Sequence, residues 1–302
     1  MSTAAVLAGY AVVVGALVPS LLSRAAWAHR APVLAVLAWQ GLMVTFVFTV
    51  TLAAYHLLLA DHHAHGGLVG LLSACGLAVG APLAGPAPSL PQALALAAPA
   101  AIVLLPLGWL VACSWQARRA RQRHLDLLTL VGDPAPEYDA TVVDHKAPAV
   151  YCLPGRHCRV VITRGALDAL SEEQLRAVLE HERAHIDGRH HLLHLLADAF
   201  SRAFPGLPLA RHAKEQTALL VEMIADDHAL RLHPREALAT AMCEVAAGRV
   251  PSVALGAGGA GALIRLRRVL TPQPRPHRAT WLGVVAATVV APLLPLLVAC
   301  GP

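Results

Sequence analysis

Residues 171–191 of this 302-residue chain read SEEQLRAVLEHERAHIDGRHH. Within this stretch, His181-Glu182-Arg183-Ala184-His185 has the pattern H-E-x-x-H. On a helix, residues four positions apart lie on one face, so both imidazoles can reach the same metal ion. Glu182 lies about 100° further round the helix, where its carboxylate reaches an attacking water rather than the metal. The motif therefore predicts a catalytic zinc centre with Glu182 as the general base.

The residues before the motif predict the helix that carries it. Ser171 followed by Gln174 three residues later forms a capping-box pattern, which is typical of a helix N-terminus. Gly188 is predicted to loosen or end the helix. The apolar stripe of this helix comprises Leu175, Val178, Leu179 and Ile186.

A third metal ligand is predicted further along the chain. In Glu222-Met223-Ile224-Ala225-Asp226, the two acidic residues are four positions apart and share a helix face. Glu222 can complete a site of two histidines and one carboxylate, which leaves a fourth position of the metal open. Asp226 is placed to hydrogen-bond a ligand imidazole and fix its tautomer. The sequence thus predicts one Zn²⁺ per chain; the alternative is that Glu222 and Asp226 form a solvated helix face.

Composition indicates a membrane protein. Hydrophobic residues make up 56% of the chain and charged residues 14%, whereas a soluble domain carries roughly 25% charged residues. A membrane-spanning helix needs roughly 20 consecutive apolar residues. Four runs meet this requirement: residues 4–22, 33–60, 93–115 and 281–300.

The positions of the arginines predict the orientation of the spans. Residues 61–92 contain neither lysine nor arginine. Because basic residues are enriched in cytoplasmic loops, we expect an extracytoplasmic N-terminus and a catalytic domain that faces the cytoplasm from the plasma membrane. The arginines could instead bind nucleic acid, but the sequence shows no recognition module, so no direct nucleic-acid binding is predicted. These arginines are Arg24, Arg30, Arg118, Arg119, Arg121, Arg123, Arg265, Arg267, Arg268, Arg275 and Arg278.

The predicted fold class is a mainly α membrane protein, with a cytoplasmic α+β zincin-like domain between the third and fourth of four transmembrane helices. The three parts are residues 1–115 in the membrane, 116–279 as the metallopeptidase domain, and 280–302 as the last span. Residues 68–84 are expected to form an extracytoplasmic interfacial or re-entrant helix. Within the domain we expect helices at 116–131, 189–204 and 216–232, strands at 149–153 and 158–163 around Pro154-Gly155, and loops at 132–148 and 256–261.

The two motifs together resemble those of the gluzincin membrane proteases. The stretch from Val150 to His191 is most similar to the metallopeptidase domain of the bacterial β-lactam sensor-transducers and their short relatives. This resemblance implies a membrane-embedded zinc endopeptidase that cleaves a cytosolic or membrane-proximal protein; a transcriptional repressor is one candidate substrate. The sensor-transducers also carry a penicillin-binding domain with an S-x-x-K motif. That motif is absent from this sequence, which ends soon after the last predicted span, so we expect no acylation by a β-lactam.

Two other functions are consistent with parts of the sequence. One is a non-proteolytic membrane signalling or scaffold protein with a structural zinc site, although such a site needs no carboxylate beside its ligands. The other is a metal transporter that uses the histidines of residues 61–65, although the predicted spans carry no acidic residue deep inside.

Several further residues are given roles only in outline. His190, His191 and His194 are interpreted as packed or polar-face histidines rather than ligands. An extended substrate could pair with the strand at 159–163. No single oxyanion-stabilising residue is predicted; the candidates are His228, His233, Arg265 and Arg268.

Overall fold

The computed structural model describes residues 2–59, 90–153, 158–247, 257–271, 274 and 276–300. A π-helical turn, Val13–Leu17, joins the first two helices. The helices are α1 (Thr3–Val12), α2 (Val18–Leu22), α3 (Pro32–Leu59), α4 (Leu90–Val131), α5 (Arg164–Ala169), α6 (Glu172–Asp187), α7 (His190–Ala203), α8 (Pro208–Ala229), α9 (Arg235–Ala247), α10 (Ala257–Leu270), α11 (Arg278–Val290) and α12 (Leu294–Cys300). The strands are β1 (Gly132–Ala135), β2 (Ala140–Val143), β3 (Val150–Leu153) and β4 (Arg159–Thr163).

Three helical segments in the described part of the chain are long and apolar enough to cross a membrane. They are Thr3–Leu22, Pro32–Leu58 and Ala97–Val131. They coincide with the first three apolar runs of the sequence and indicate a membrane protein. The third continues without a break through residues 116–131, as predicted, because this arginine-rich stretch keeps good helix formers after the apolar run ends.

The fourth predicted span is not a single continuous helix. Residues 291–293 form a turn between α11 and α12. Pro292 lies in this turn; proline lacks a backbone N–H and clashes with the preceding helical turn. The hydroxyl of Tyr10 donates a hydrogen bond to the carbonyl oxygen of Ala291 at 3.0 Å, so this carbonyl has a partner at the break. A continuous fourth crossing helix at 281–300 is therefore not confirmed.

The small sheet includes residues that the sequence predicts as loop. Its strand order is β1-β2-β4-β3, with β2 and β4 parallel and the other two pairs antiparallel. The prediction of mostly loop at 132–148 is wrong for β1 and β2, which are four residues long and are fixed by pairing with each other and with the later strand β4. The proposed peptide-pairing role of residues 159–163 is also wrong, because β4 has β2 on one side and β3 on the other. Among the described strands, β3 is the edge strand beside the motif helix.

The two helices after the motif pack against the long apolar helices of the first 59 residues. Phe46 of α3 makes edge-to-face contacts with Phe200 and Phe204, with ring centroids 6.1 and 5.4 Å apart. At the turn between α7 and α8, Leu207 approaches Gly15 so closely that a Cβ at Gly15 would lie 3.2 Å from Leu207 Cδ1. One buried apolar cluster therefore joins α7 and α8 to the first two spans.

Three sequence predictions change at their boundaries or lie outside the described residues. Helix α8 begins at Pro208 instead of 216, and proline is well suited to the first turn of a helix. Residues 257–261, predicted as part of a glycine-rich loop, form the start of α10. The predictions for residues 61–65, 68–84 and the Pro154-Gly155 turn lie outside the described residues.

Candidate metal centre

Helix α6 presents the H-E-x-x-H motif, and its start is fixed by its own sequence. The backbone N–H of Gln174 donates to the Ser171 hydroxyl at 3.3 Å, and the Gln174 side chain accepts from the Ser171 N–H at 2.8 Å. The predicted capping box is thereby confirmed. Leu175 and Leu179 pack on the sheet, which turns His181 and His185 towards α8.

The three predicted ligand residues converge on one point. His181 Nε2 lies 3.2 Å from His185 Nε2. Glu222 places Oε2 3.5 Å from His181 Nε2 and Oε1 3.4 Å from His185 Nε2. Zinc bonds of roughly 2.0–2.1 Å imply ligand atoms about 3.3–3.4 Å apart in a tetrahedron. Two imidazole nitrogens and one carboxylate at these separations fit a zinc ion with one open position.

Asp226 lies behind the first ligand. Its side chain is 1% exposed, and Oδ1 is 3.0 Å from His181 Nδ1. The separation is that of an ion pair, although the direction of the ring nitrogen departs from ideal hydrogen-bond geometry. A carboxylate at Nδ1 leaves Nε2 of His181 directed at the ligand cluster; the hydrogen bond from a ligand imidazole to Asp226 stays a prediction.

Arg265 of α10 connects the two carboxylates of α8. It donates from Nε and Nη2 to the two oxygens of Asp226, each at 2.8 Å, and its Nη1 is 2.6 Å from Glu222 Oε2. Of the four oxyanion candidates, Arg265 is the one whose contacts include a predicted metal ligand. Arg268 instead forms a bidentate salt bridge with Asp227, at 2.6 and 2.7 Å. His228 contacts Glu180 at 3.0 Å.

The two imidazoles differ in their proton affinity. Burial lowers the pKa of His181, but the carboxylates of Asp226 and Glu222 outweigh this effect and raise it to about 9. For His185, burial dominates, Glu222 opposes it only in part, and the pKa falls to about 4. Burial also acts to raise the pKa of Glu222, but His181 and Arg265 reverse this and keep it ionised, with a pKa of about 2.

The carboxylate of Glu182 contacts the edge strand. Its Oε2 accepts a hydrogen bond from the backbone N–H of Cys152 in β3 at 2.9 Å. Burial raises the pKa of Glu182 above its usual value, against the opposing effects of His181 and Cys152. This brings the predicted general base next to the edge strand, a contact that the motif alone does not reveal.

One neighbour of the site has no role in the sequence prediction. His190 is 4% exposed, and its Nδ1 lies 2.9 Å from Nδ1 of His185. The interpretation of His190 as a packed histidine is confirmed, but it omits this contact with a ligand. The signal in the sequence is its position, directly after the Gly188-Arg189 break that follows the motif.

Comparison with known families supports the same chemistry. Residues 114–218 match the model of Peptidase family M48. The matched region includes His181, Glu182 and His185 and ends before Glu222. No curated protein and no solved structure matches the chain, and the finer resemblance to the β-lactam sensor-transducers is not confirmed. The family match and the ligand cluster together support a zincin-type metallopeptidase, a class that generally depends on zinc.

Proposed function

We propose that this chain is an integral-membrane zinc endopeptidase that hydrolyses peptide bonds of a cytosolic or membrane-proximal protein. The observation that carries this proposal is the convergence of His181, His185 and Glu222, with Glu182 next to His181 on helix α6. Separate helices, α6 and α8, supply these ligands at separations that suit zinc. Neither helix holds all three ligands by itself.

The residues divide the chemistry of hydrolysis between them. His181, His185 and Glu222 would hold the ion, which when bound polarises the scissile carbonyl and makes water a better nucleophile at neutral pH. Glu182 takes a proton from the attacking water and returns it to the leaving amide nitrogen. Burial favours this role, because a carboxylate with a raised pKa is both a stronger base and a usable acid near neutral pH. Asp226 orients His181 through Nδ1.

The edge strand β3 offers a way to hold the substrate. Its pairing with β4 leaves its other edge unpaired among the described strands, and Cys152 on it contacts Glu182. An extended peptide that adds to this edge would run past the catalytic carboxylate. Backbone hydrogen bonds of this kind recognise shape rather than side-chain identity, so the sequence preference of the enzyme must come from other contacts.

The cellular setting follows from the charge pattern and the resemblance. The arginine distribution supports an extracytoplasmic N-terminus, four crossings of the plasma membrane and a peptidase domain, residues 116–279, that faces the cytoplasm. The three apolar helices are compatible with this topology. The resemblance to the sensor-transducers supports a repressor as substrate and a role in regulatory proteolysis.

A paired measurement tests the proposal. The wild type and Glu182→Gln are purified in detergent, bound zinc is quantified, and cleavage of casein and of the chain itself is followed. We expect about one zinc in each protein and a cleavage rate about 10²- to 10⁴-fold lower in the variant. His181→Ala serves as a control that loses the metal.

The same measurement distinguishes the protease from the alternative function, a membrane scaffold with a structural zinc site. If both proteins bind zinc and cleave nothing, including a repressor peptide library, the structural-zinc scaffold is favoured. A wild type that takes up no zinc contradicts the whole site assignment.

A further inference from the structure

We propose that His190 is a positioning residue of the metal centre, accepting a hydrogen bond from Nδ1–H of His185 and so presenting Nε2 of that ligand to the metal. This inference rests on the proposed zinc function. It assigns a role to a histidine that lies outside the motif and outside the three predicted ligands.

The contact between the two rings requires one shared proton. The Nδ1 atoms of His185 and His190 lie 2.9 Å apart, with ring centroids separated by 4.8 Å and planes at 89°. A neutral imidazole has one N–H and one lone pair, so two facing nitrogens at this distance need one donor and one acceptor. The Nε2 of His185 faces His181 and Glu222. When this Nε2 binds a metal, the proton of His185 is on Nδ1, and His190 must be the acceptor.

The backbone between the two histidines is shaped around this contact. Helix α6 ends where the N–H of Gly188 donates to Ala184 at 2.9 Å, and Arg189 then adopts a left-handed conformation with φ of 48°. Non-glycine residues rarely take this conformation. A Cβ on Gly188 would lie 2.5 Å from His190 Nε2 and 2.7 Å from its Cδ2. The sharp reversal and the missing side chain thus bring the ring of His190 back onto His185.

The two histidine ligands consequently have different partners. His181 faces the ionised carboxylate of Asp226, which is itself neutralised by Arg265. His185 faces a neutral ring that is 4% exposed. An acceptor without charge orients the ligand and leaves the net charge around the metal unchanged. The predicted effect of His190 is therefore on the orientation of one ligand.

Two substitutions of matched shape test this role. In asparagine, Oδ1 occupies the position of histidine Nδ1 relative to Cβ, so His190→Asn keeps an acceptor. His190→Leu has the same branching but no acceptor, and both lose the rest of the ring. We expect the zinc Kd, measured by chelator competition in detergent, to rise about 10- to 100-fold in His190→Leu. The zinc Kd of His190→Asn should stay within about threefold of the wild-type value, because asparagine keeps an uncharged acceptor at this position.

Two further readings make the outcome decisive. His191→Leu, the same change at the adjacent histidine, should leave the zinc Kd unchanged. The thermal midpoints of the metal-stripped His190→Asn and His190→Leu proteins report packing, which both variants disturb. Equal weakening of zinc binding by the two variants, or wild-type zinc binding in His190→Leu, overturns the positioning role while the zinc site stands. A wild type that binds no zinc overturns the proposed function as well.

Discussion

The two helices that supply the candidate ligands are stabilised in different ways. Helix α6 carries its start signal, its apolar stripe and two ligands within 16 residues, and its cap is made by its own first turn. Helix α8 carries one ligand and has no side-chain cap. Its position depends on α3 of the membrane region and on two arginines of α10. One half of the site is therefore specified locally and the other half by residues distant in sequence.

The largest expected effect concerns the remote support of α8. Arg265→Gln leaves Asp226, whose side chain is 1% exposed, without its guanidinium partner, and only the imidazole of His181 still faces that carboxylate. Breaking a buried ion pair from one side costs about 3–5 kcal/mol. We expect a loss of this size in the free energy of unfolding, measured by chemical denaturation of the metal-stripped protein in detergent. Arg267→Gln, an exposed neighbour on the same helix, is the control; equal losses for the two variants would remove the distinction between α6 and α8.

The next effect tests whether α8 contributes to metal binding as strongly as α6. Glu222→Ala removes the carboxylate that lies 3.4 and 3.5 Å from the two ligand nitrogens. Loss of a direct ligand should weaken zinc binding more than loss of a residue that only contacts a ligand, which costs about 10- to 100-fold. The zinc Kd of Glu222→Ala should therefore rise more than about 100-fold. Chelator competition measures this value, with Glu215→Ala as the control on an exposed part of the same helix. Unchanged zinc binding in Glu222→Ala would mean that α6 and another residue complete the site.

A smaller effect is a pH dependence of zinc binding. The group that titrates is His181 of α6, and its pKa is raised by Asp226 and Glu222 of α8. The pKa of His181 is raised to about 9, so below that pH a proton must leave before Nε2 can bind zinc. The zinc Kd should therefore fall about tenfold for each pH unit between about 6.5 and 8.5 and level off above the pKa. His185, with a pKa of about 4, adds nothing in this range. Asp226→Asn should flatten the slope, whereas a slope already flat in the wild type contradicts the assignment.

The smallest expected effect is on the local start of α6. Ser171→Ala removes the hydroxyl that accepts from Gln174 N–H, and loss of such a cap costs about 1 kcal/mol. Denaturation of the same detergent-solubilised protein measures the loss, and Ser171→Asp should restore most of it because aspartate also caps helices. If Ser171→Ala destabilises the protein as much as Arg265→Gln, the local cap of α6 is as important for stability as the remote support of α8, and the distinction between the two helices fails.

The sequence predicts the local half of the site better than the remote half. The boundaries of α6, its capping box and the neighbouring strands β3 and β4 depend on residues within a few positions of each other, and these predictions are confirmed. The sequence predicts a start of α8 eight positions too late, because its first turns pack in the buried cluster shared with the apolar helices and its N-cap residue Leu207 lies against Gly15. The sequence predicts loop at strands β1 and β2, because four-residue strands acquire their identity only by pairing with each other and with the later strand β4.

The sequence predicts the candidate ligand residues because metal coordination limits their spacing. His181 and His185 share a helix face, and Glu222 with Asp226 repeats that spacing on α8. The contacts that support these residues follow no such rule of sequence spacing. Arg265 reaches Asp226 across 39 positions and Cys152 reaches Glu182 across 30, so neither partner follows from either local pattern. The role of His190 lies between these cases, because it depends on one unusual turn at Arg189.

The hydrogen bond from Arg268 Nε to the carbonyl oxygen of His29, at 2.7 Å, has a practical consequence. The same guanidinium also binds Asp227 of α8. One side chain therefore links α8 to the segment between α2 and α3. Excision of residues 116–279 as a soluble fragment would leave that arginine short of an acceptor. It would also expose Phe200, Phe204 and Leu209 to water. We therefore expect assays on the full 302-residue chain, in a detergent micelle or nanodisc, to be more informative than assays on such a fragment.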